Sequence, residues 1–314
     1  MPCNAAHPVK AHPSRSQLGG FFADCLYTAF MRRCFPSRPS AAGQLALAVA
    51  VQMLALAPLA FAQFPSSITA SDGPAVFQIN PYSGGSIGSG PTSSLSGTGT
   101  GGLNFLNQAW WWARVDGSDI REFAVVQASP LITAPTANSI RIEYNNAMGR
   151  PWQIVVEFIV TSLGGNAAHL TQRFTIKNIN GPAVPNISLF NFNNVTLNGT
   201  PTNDVATQTG PFTIDFADGG NPLYHGIYEA VTPGAMAVGP SLRNLLANAE
   251  INNLPAGSIA SGPANLEVAT QWSFDLGVGE THTFEVSFTA IPSPGTAGLL
   301  VAAGLWAARR QRLR

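Results

Sequence analysis

The sequence predicts an all-β chain, an antiparallel two-sheet β-sandwich carrying one short helix, and three observations lead there. Strand-like runs recur at short intervals between clusters of Gly, Pro and Asn, as strands and turns do. Several runs alternate apolar and polar residues with period two, the mark of a strand with one face on a core and one in water. Only 10% of the 314 residues are charged, and Gly (31) and Pro (24) are plentiful, a composition unlike that of long-helix proteins. Roughly ten strands without βαβ alternation favour a sandwich. No repeat of fixed period points to a solenoid or propeller.

Taken in order, residues 63–102 are rich in Gly, Ser and Thr and read as a flexible entry segment with one strand, Ala75–Asn80. The β-sandwich domain follows over 103–290. Its candidate strands are Gln108–Val115, Arg121–Gln127, Ser139–Tyr144, Pro151–Val160, Leu170–Lys177, Asn186–Leu197, Phe212–Phe216, Leu223–Ala230, Leu266–Leu276 and His282–Phe288. Pro151–Val160 is apolar on both faces and is expected to be central. In Leu170–Lys177, Leu170, Phe174 and Ile176 oppose Thr171, Arg173, Thr175 and Lys177. The last two strands, joined by Gly277-Val278-Gly279-Glu280, read as a hairpin with a short Gly-bearing loop. Pro240-Ser241 opens the one helix, with Leu242, Leu245, Leu246 and Ala249 on a single stripe.

The net charge of zero hides a segregation. Lys10, Arg15, Arg32, Arg33 and Arg38 precede Gln63, opposed only by Asp24, and Arg309, Arg310, Arg312 and Arg314 close the chain. The middle is acidic and Lys-poor, so no basic footprint for nucleic acid exists. After Arg38 an uncharged apolar run reaches Ala60-Phe61-Ala62, followed by Gln63. Basic flank, apolar stretch and small residues at −3 and −1 make residues 31–62 a secretory signal peptide, cleaved after Ala62 by the pattern and engaging the Sec export machinery. The competing reading is a retained membrane anchor, since about 20 apolar residues can span a bilayer. Met31 is the expected start, residues 1–30 being an over-extended, unstructured stretch. Cys3, Cys25 and Cys34 all lie upstream of the cleavage position, which leaves the body without a disulfide framework or thiol nucleophile.

At the other end, Pro292-Ser293-Pro294 is followed by an apolar stretch, 296–308, and then the cluster Arg309, Arg310, Arg312 and Arg314. A helix there would be about 20 Å long at ~1.5 Å per residue, short of the ~30 Å hydrocarbon core, and its Arg cluster would hold the end in the cytoplasm. This three-part tail, 291–314, resembles the PEP-CTERM sorting signal, with Ser293 where Glu is usual. The resemblance implies recognition and processing by an exosortase-type protease. It further implies a chain tethered to the inner membrane of a Gram-negative bacterium, then carried to the cell surface or released. The body is similar to other β-rich proteins bearing such tails through its Trp110-Trp111-Trp112 region and its closing strands, a likeness that implies no activity.

Candidate sites are few. Trp110 and Trp112 would share a strand face, and an exposed pair would form a glycan platform; the same rings suit core packing, since each Trp buries roughly 150–250 Å². Asp215, Asp218 and Asn221, with Asp204, offer oxygens for Ca²⁺, yet Asp-Gly-Gly-Asn is also good turn chemistry without a metal. Asp116-Gly117-Ser118-Asp119 reads as a turn for the same reason. His169, His225 and His282 have no zinc-ligand spacing, and no nucleophile elbow, P-loop or dinucleotide fingerprint occurs in context. No cofactor and no metal are expected, and no pair among the Glu residues stands out for glycoside hydrolysis.

The expected function is that of an exported cell-surface or extracellular-matrix sandwich without catalysis. The alternatives are a carbohydrate-binding module for exopolysaccharide, and a glycan-active enzyme.

Overall fold

The computed structural model describes residues 67–81, 90–98, 102–126, 130–255 and 257–291. The expected signal peptide 31–62, with Ala60, Ala62 and Gln63, lies outside the described residues, as do Pro292, Ser293, Pro294, the stretch 296–308 and the terminal arginines. Among the described residues no helix is long and apolar enough to cross a membrane.

The described chain is almost wholly β, with sixteen strands. These are β1 (Ile68–Asp72), β2 (Ala75–Asn80), β3 (Thr92–Ser96), β4 (Leu106–Val115), β5 (Phe123–Ala124), β6 (Leu131–Thr133), β7 (Ser139–Asn145) and β8 (Trp152–Gly164). They continue with β9 (Ala167–Asn178), β10 (Val184–Val195), β11 (Asp204–Gly210), β12 (Thr213–Asp218), β13 (His225–Ala230), β14 (Ala235–Gly239), β15 (Glu267–Leu276) and β16 (Thr281–Ile291). One α-helix, α1 (Leu242–Ala247), follows β14. The strands form an eight-stranded sheet in the order β11-β12-β13-β16-β9-β8-β7-β6, a five-stranded sheet β14-β15-β10-β4-β5 and a three-stranded sheet β1-β2-β3. Every ladder is antiparallel.

In the eight-stranded sheet period two holds. Ile154, Val156, Phe158 and Val160 of β8 and Leu170, Phe174 and Ile176 of β9 are buried. Their neighbours form a charged row on the outer face, where Arg141, Glu157, Arg173 and Glu285 stand side by side across β7, β8, β9 and β16. Arg141 reaches Glu157 at 3.0 Å and Arg173 reaches Glu285 at 2.8 Å. Alternating signs across the strands favour this register, since a shift by one residue would turn the charges into the core.

A polar cluster fastens the five-stranded sheet to the eight-stranded one. Asn191 Nδ2 donates to Gln172 Oε1 (3.1 Å), Gln172 Nε2 to Asn193 Oδ1 (2.7 Å), and Asn193 Nδ2 to Asn191 Oδ1 (2.6 Å). The Tyr228 hydroxyl donates to Asn191 Oδ1 (3.1 Å) and lies 2.9 Å from the Thr270 hydroxyl. All five residues are buried, and the mutual bonds offset the desolvation that burial costs them.

Four expectations need correction. The loop Gly277-Val278-Gly279-Glu280 closes no hairpin: β15 pairs with β10 and β14, whereas β16 pairs with β13 and β9. The loop crosses between sheets, its tight bend held by the Gly277 amide donating to Glu280 Oε2 at 2.6 Å. The Gly/Ser-rich segment is not merely an entry linker, because β1, β2 and β3 bury Ala70, Phe77, Ile79 and Leu95, and Phe77 stacks on Phe158 at 4.8 Å. Arg121–Gln127 contributes only two strand residues, Phe123–Ala124. Last, Pro151–Val160 does lie inside its sheet, but Gln153, Glu157 and Ile159 are only half-buried, so one face meets water. The helix is present, with Leu242 and Leu246 buried, and Ser241 enters it at φ 73° without a side-chain cap.

Candidate functional site

The tryptophan run packs into the core. Trp110, Trp111 and Trp112 are all 0% exposed, so Trp110 and Trp112 form no glycan platform. Trp111 lies 5.2 Å from the Phe174 ring and 5.8 Å from Trp272. Trp110 Nε1 donates to the Val125 carbonyl at 3.1 Å, and Trp112 meets Phe192 edge-on at 5.6 Å. The Trp110/Trp112 face is covered by the chain at Gly90, where an added Cβ would come within 2.9 Å of both indoles. Gln108 Nε2 fixes that crossing by donating to the Gly90 carbonyl at 2.8 Å. Only glycine lets backbone pass so close to two large rings.

The candidate site is a cavity of about 480 Å³ lined by Asp119, Phe123, Ala124, Val126, Met148, Gly149 and Arg150. That volume is in the range of small-molecule sites. One wall is the segment after β4. Asp119 Oδ2 accepts the Val115 amide at 2.7 Å, the Val125 amide donates to the Trp111 carbonyl at 3.0 Å, and Glu122 turns inward. Fully buried Glu122 accepts from the Asn252 amide at 2.8 Å and pairs with buried Arg114, which also bonds the Asn252 carbonyl and Asn253. The second wall is the turn Ala147–Gly149, in which Met148 holds φ 55° and Gly149 φ 70°. A left-handed methionine is costly backbone, and here it sets Met148 in the cavity lining.

Within the cavity lining Arg150 bonds Asp119 Oδ1 at 2.6 Å, while its guanidinium lies 5.1 Å from the Trp152 ring centroid. The site therefore offers an aromatic and apolar surface beside a fixed donor–acceptor pair. Of the expected turn Asp116–Asp119, Asp119 thus belongs to the cavity. Phe123, Met148 and Arg150 carried no sequence signal, because their meeting joins segments whose separation along the chain leaves no local pattern.

The other candidates stay apart. His169 bonds Thr289 at 2.9 Å, His225 bonds Asp215 at 3.2 Å, and His282 lies 3.0 Å from Glu280. Among the described residues no group of three or more His, Cys, Asp or Glu is placed to hold a metal. Asp215 stands on the outer face of β12, while Asp204 and Asp218 are buried together on the inner one. Burial pushes the Asp204 carboxyl up to about 7, with the Leu197 amide opposing and the Asp218 charge adding. Asp218 is lowered on balance: burial acts upward, and bonds from the Asn221 and Gly220 amides and from Thr200 and Asn198 outweigh it.

No family model matches the chain, and no curated protein does. Among solved structures, it is similar to a galactose mutarotase related enzyme from Lactobacillus acidophilus, with 8% identity, 73% of this chain and 98% of that chain covered, and a TM-score of 0.42. An aldose epimerase homologue from C. elegans matches with 9% identity, coverage of 72% and 99%, and a TM-score of 0.40. A polysaccharide lyase matches with 14% identity, coverage of 69% and 32%, and a TM-score of 0.36. Against the expectation of a chain without catalysis, each of these matches is described as an enzyme or enzyme homologue. At such TM-scores they assign no reaction to this chain.

Proposed function

We propose that the chain is an exported surface or matrix protein that recognises carbohydrate, with the Phe123–Arg150 cavity as the sugar position. The observation that carries this is the pairing, in one cavity, of the Phe123, Ala124, Val126 and Met148 surface with the Asp119–Arg150 pair. A pyranose ring presents a C–H face and a rim of hydroxyls, which asks for an apolar or aromatic wall and a few fixed polar groups. Arg150 donates and Asp119 accepts, so both hydrogen-bonding senses of a hydroxyl are met. Export through residues 31–62 and sorting through Pro292-Ser293-Pro294 and the Arg cluster belong to the same reading, with the exosortase-type protease as partner.

The test is retention of the chain on native exopolysaccharide, using protein recovered from envelope and medium. Phe123→Ala is expected to weaken retention at least about tenfold, a loss of ~1.4 kcal/mol, with an unchanged far-UV spectrum. Equal retention of variant and parent would remove the cavity from the reading. Peptide mapping of the same samples reports the ends. A chain from Gln63 to near Pro294 belongs with export and processing, whereas Arg314 retained in the membrane fraction would sink the sorting part.

A further inference from the structure

We infer that a divalent cation of the hard, oxygen-coordinated class, Ca²⁺ above all, binds between Asp204 and Asp218 beneath the turn Leu197–Gly199. The two residues are direct partners in the β11–β12 ladder. Asp204 exchanges both of its backbone hydrogen bonds with Ala264, at 3.1 Å each. Its pairing with Asp218 is therefore of the non-hydrogen-bonded kind, in which facing side chains come closest. Both side chains point to the inner face, with Ile214 and Phe216 beside them, at 0% and 1% exposure.

The two carboxylates are not equivalent. Asp218 is held by its turn: Oδ1 accepts the Gly220 amide at 2.6 Å and the Asn221 amide at 2.8 Å, and Oδ2 accepts the Thr200 hydroxyl at 3.0 Å. Neither oxygen of Asp204 meets a partner in good hydrogen-bonding geometry, and the Leu197 amide offers only a weak contact that fails to offset burial. Among the described residues no Lys, Arg or His forms an ion pair with either acid. Two buried, adjacent carboxyls without a counter-charge are unstable as dianions. A proton on Asp204 relieves the charge but leaves its oxygens without a well-formed bond; a cation relieves the charge and uses them.

The chemistry around the pair selects the ion. Neither imidazole nor thiolate is present, which disfavours zinc and copper. The Thr200 hydroxyl lies 3.2 Å from the Leu197 carbonyl and 3.0 Å from Asp218, and its single proton leaves an oxygen lone pair free. Carboxylate, hydroxyl and backbone carbonyl oxygens in irregular array suit Ca²⁺, which takes six to eight oxygens, better than Mg²⁺, which keeps its water and demands an octahedron.

The experiment uses the purified full chain, stripped with chelator and dialysed. Bound calcium is counted by equilibrium dialysis, and melting is followed with CaCl2 or with MgCl2 at equal ionic strength. About one Ca²⁺ per chain is expected, with Tm raised by about 5 °C at saturation and a smaller shift with Mg²⁺. Asp204→Asn should fold without calcium and lose the shift, while Asp215→Asn, on the outer face, should keep it. Should Asp204→Asn not fold, Thr200→Ala is read instead, with an expected loss of affinity of about tenfold. No stoichiometric calcium on the parent chain would overturn the proposal, as would a calcium shift undiminished in Asp204→Asn or Thr200→Ala.

Discussion

In the eight-stranded sheet each long strand keeps one face in the core and one in water, whereas β4 and β10 at the centre of the five-stranded sheet are buried on both faces. The outer face of the smaller sheet is roofed by the chain near Gly90 and by the loop around Asn252 and Asn253. The difference decides how charge is handled. On the larger sheet Arg173 is 39% exposed and pairs with Glu285 in solvent. On the smaller one Arg114 is 2% exposed and needs Glu122, Asp116, Asn252 and Asn253 around it, because a charge without partners cannot be buried. It also decides where a ligand can bind: the tryptophans are spent on packing, and the cavity opens at the edge, beside β5.

The sharpest way to break this comparison is Trp111→Ala. Removal of an indole packed against Phe174 and Trp272 should cost about 3–5 kcal/mol in denaturant unfolding. A loss below about 1 kcal/mol would mean that β4 is not buried on both faces.

Tyr228, at the join of the two sheets, gives a titration that sharpens the contrast. Burial raises its phenol above the ordinary value of 10.0, so the unfolded state gives up this proton first. Stability must then be complete below pH 10 and fall as pH rises past it, by about 1.4 kcal/mol per pH unit. Urea melts between pH 9 and 11 should show that decline in the parent chain and lack this component in Tyr228→Phe. Identical slopes in the two proteins would place Tyr228 in contact with water.

The smallest effect belongs to the outer face of the larger sheet. Arg173→Ala should change stability by no more than about 1 kcal/mol, and less at high salt, since exposed pairs are screened. A larger, salt-insensitive loss would show that the face is covered by something else.

The sequence by itself determined the all-β class, the helix after Pro240 and most strand positions, Leu170–Lys177 and Leu266–Leu276 among them. These rest on local rules: period two reports a half-buried strand, and Gly, Pro and Asn report turns, each within a few residues. Tertiary structure alone decided which sheet each strand joins. Gly277–Glu280 has the composition of a hairpin loop, yet the strands on either side find their partners in separate sheets. It alone decided that Trp110 and Trp112 are covered, because the covering glycine lies in a segment with no hydrophobic pattern. It brought Phe123 to Arg150 and Asp204 to Asp218, while turning Asp215 away to the opposite face. Distance along the chain carries no record of such meetings, since they are set by the burial of many apolar side chains at once and not by any one local preference.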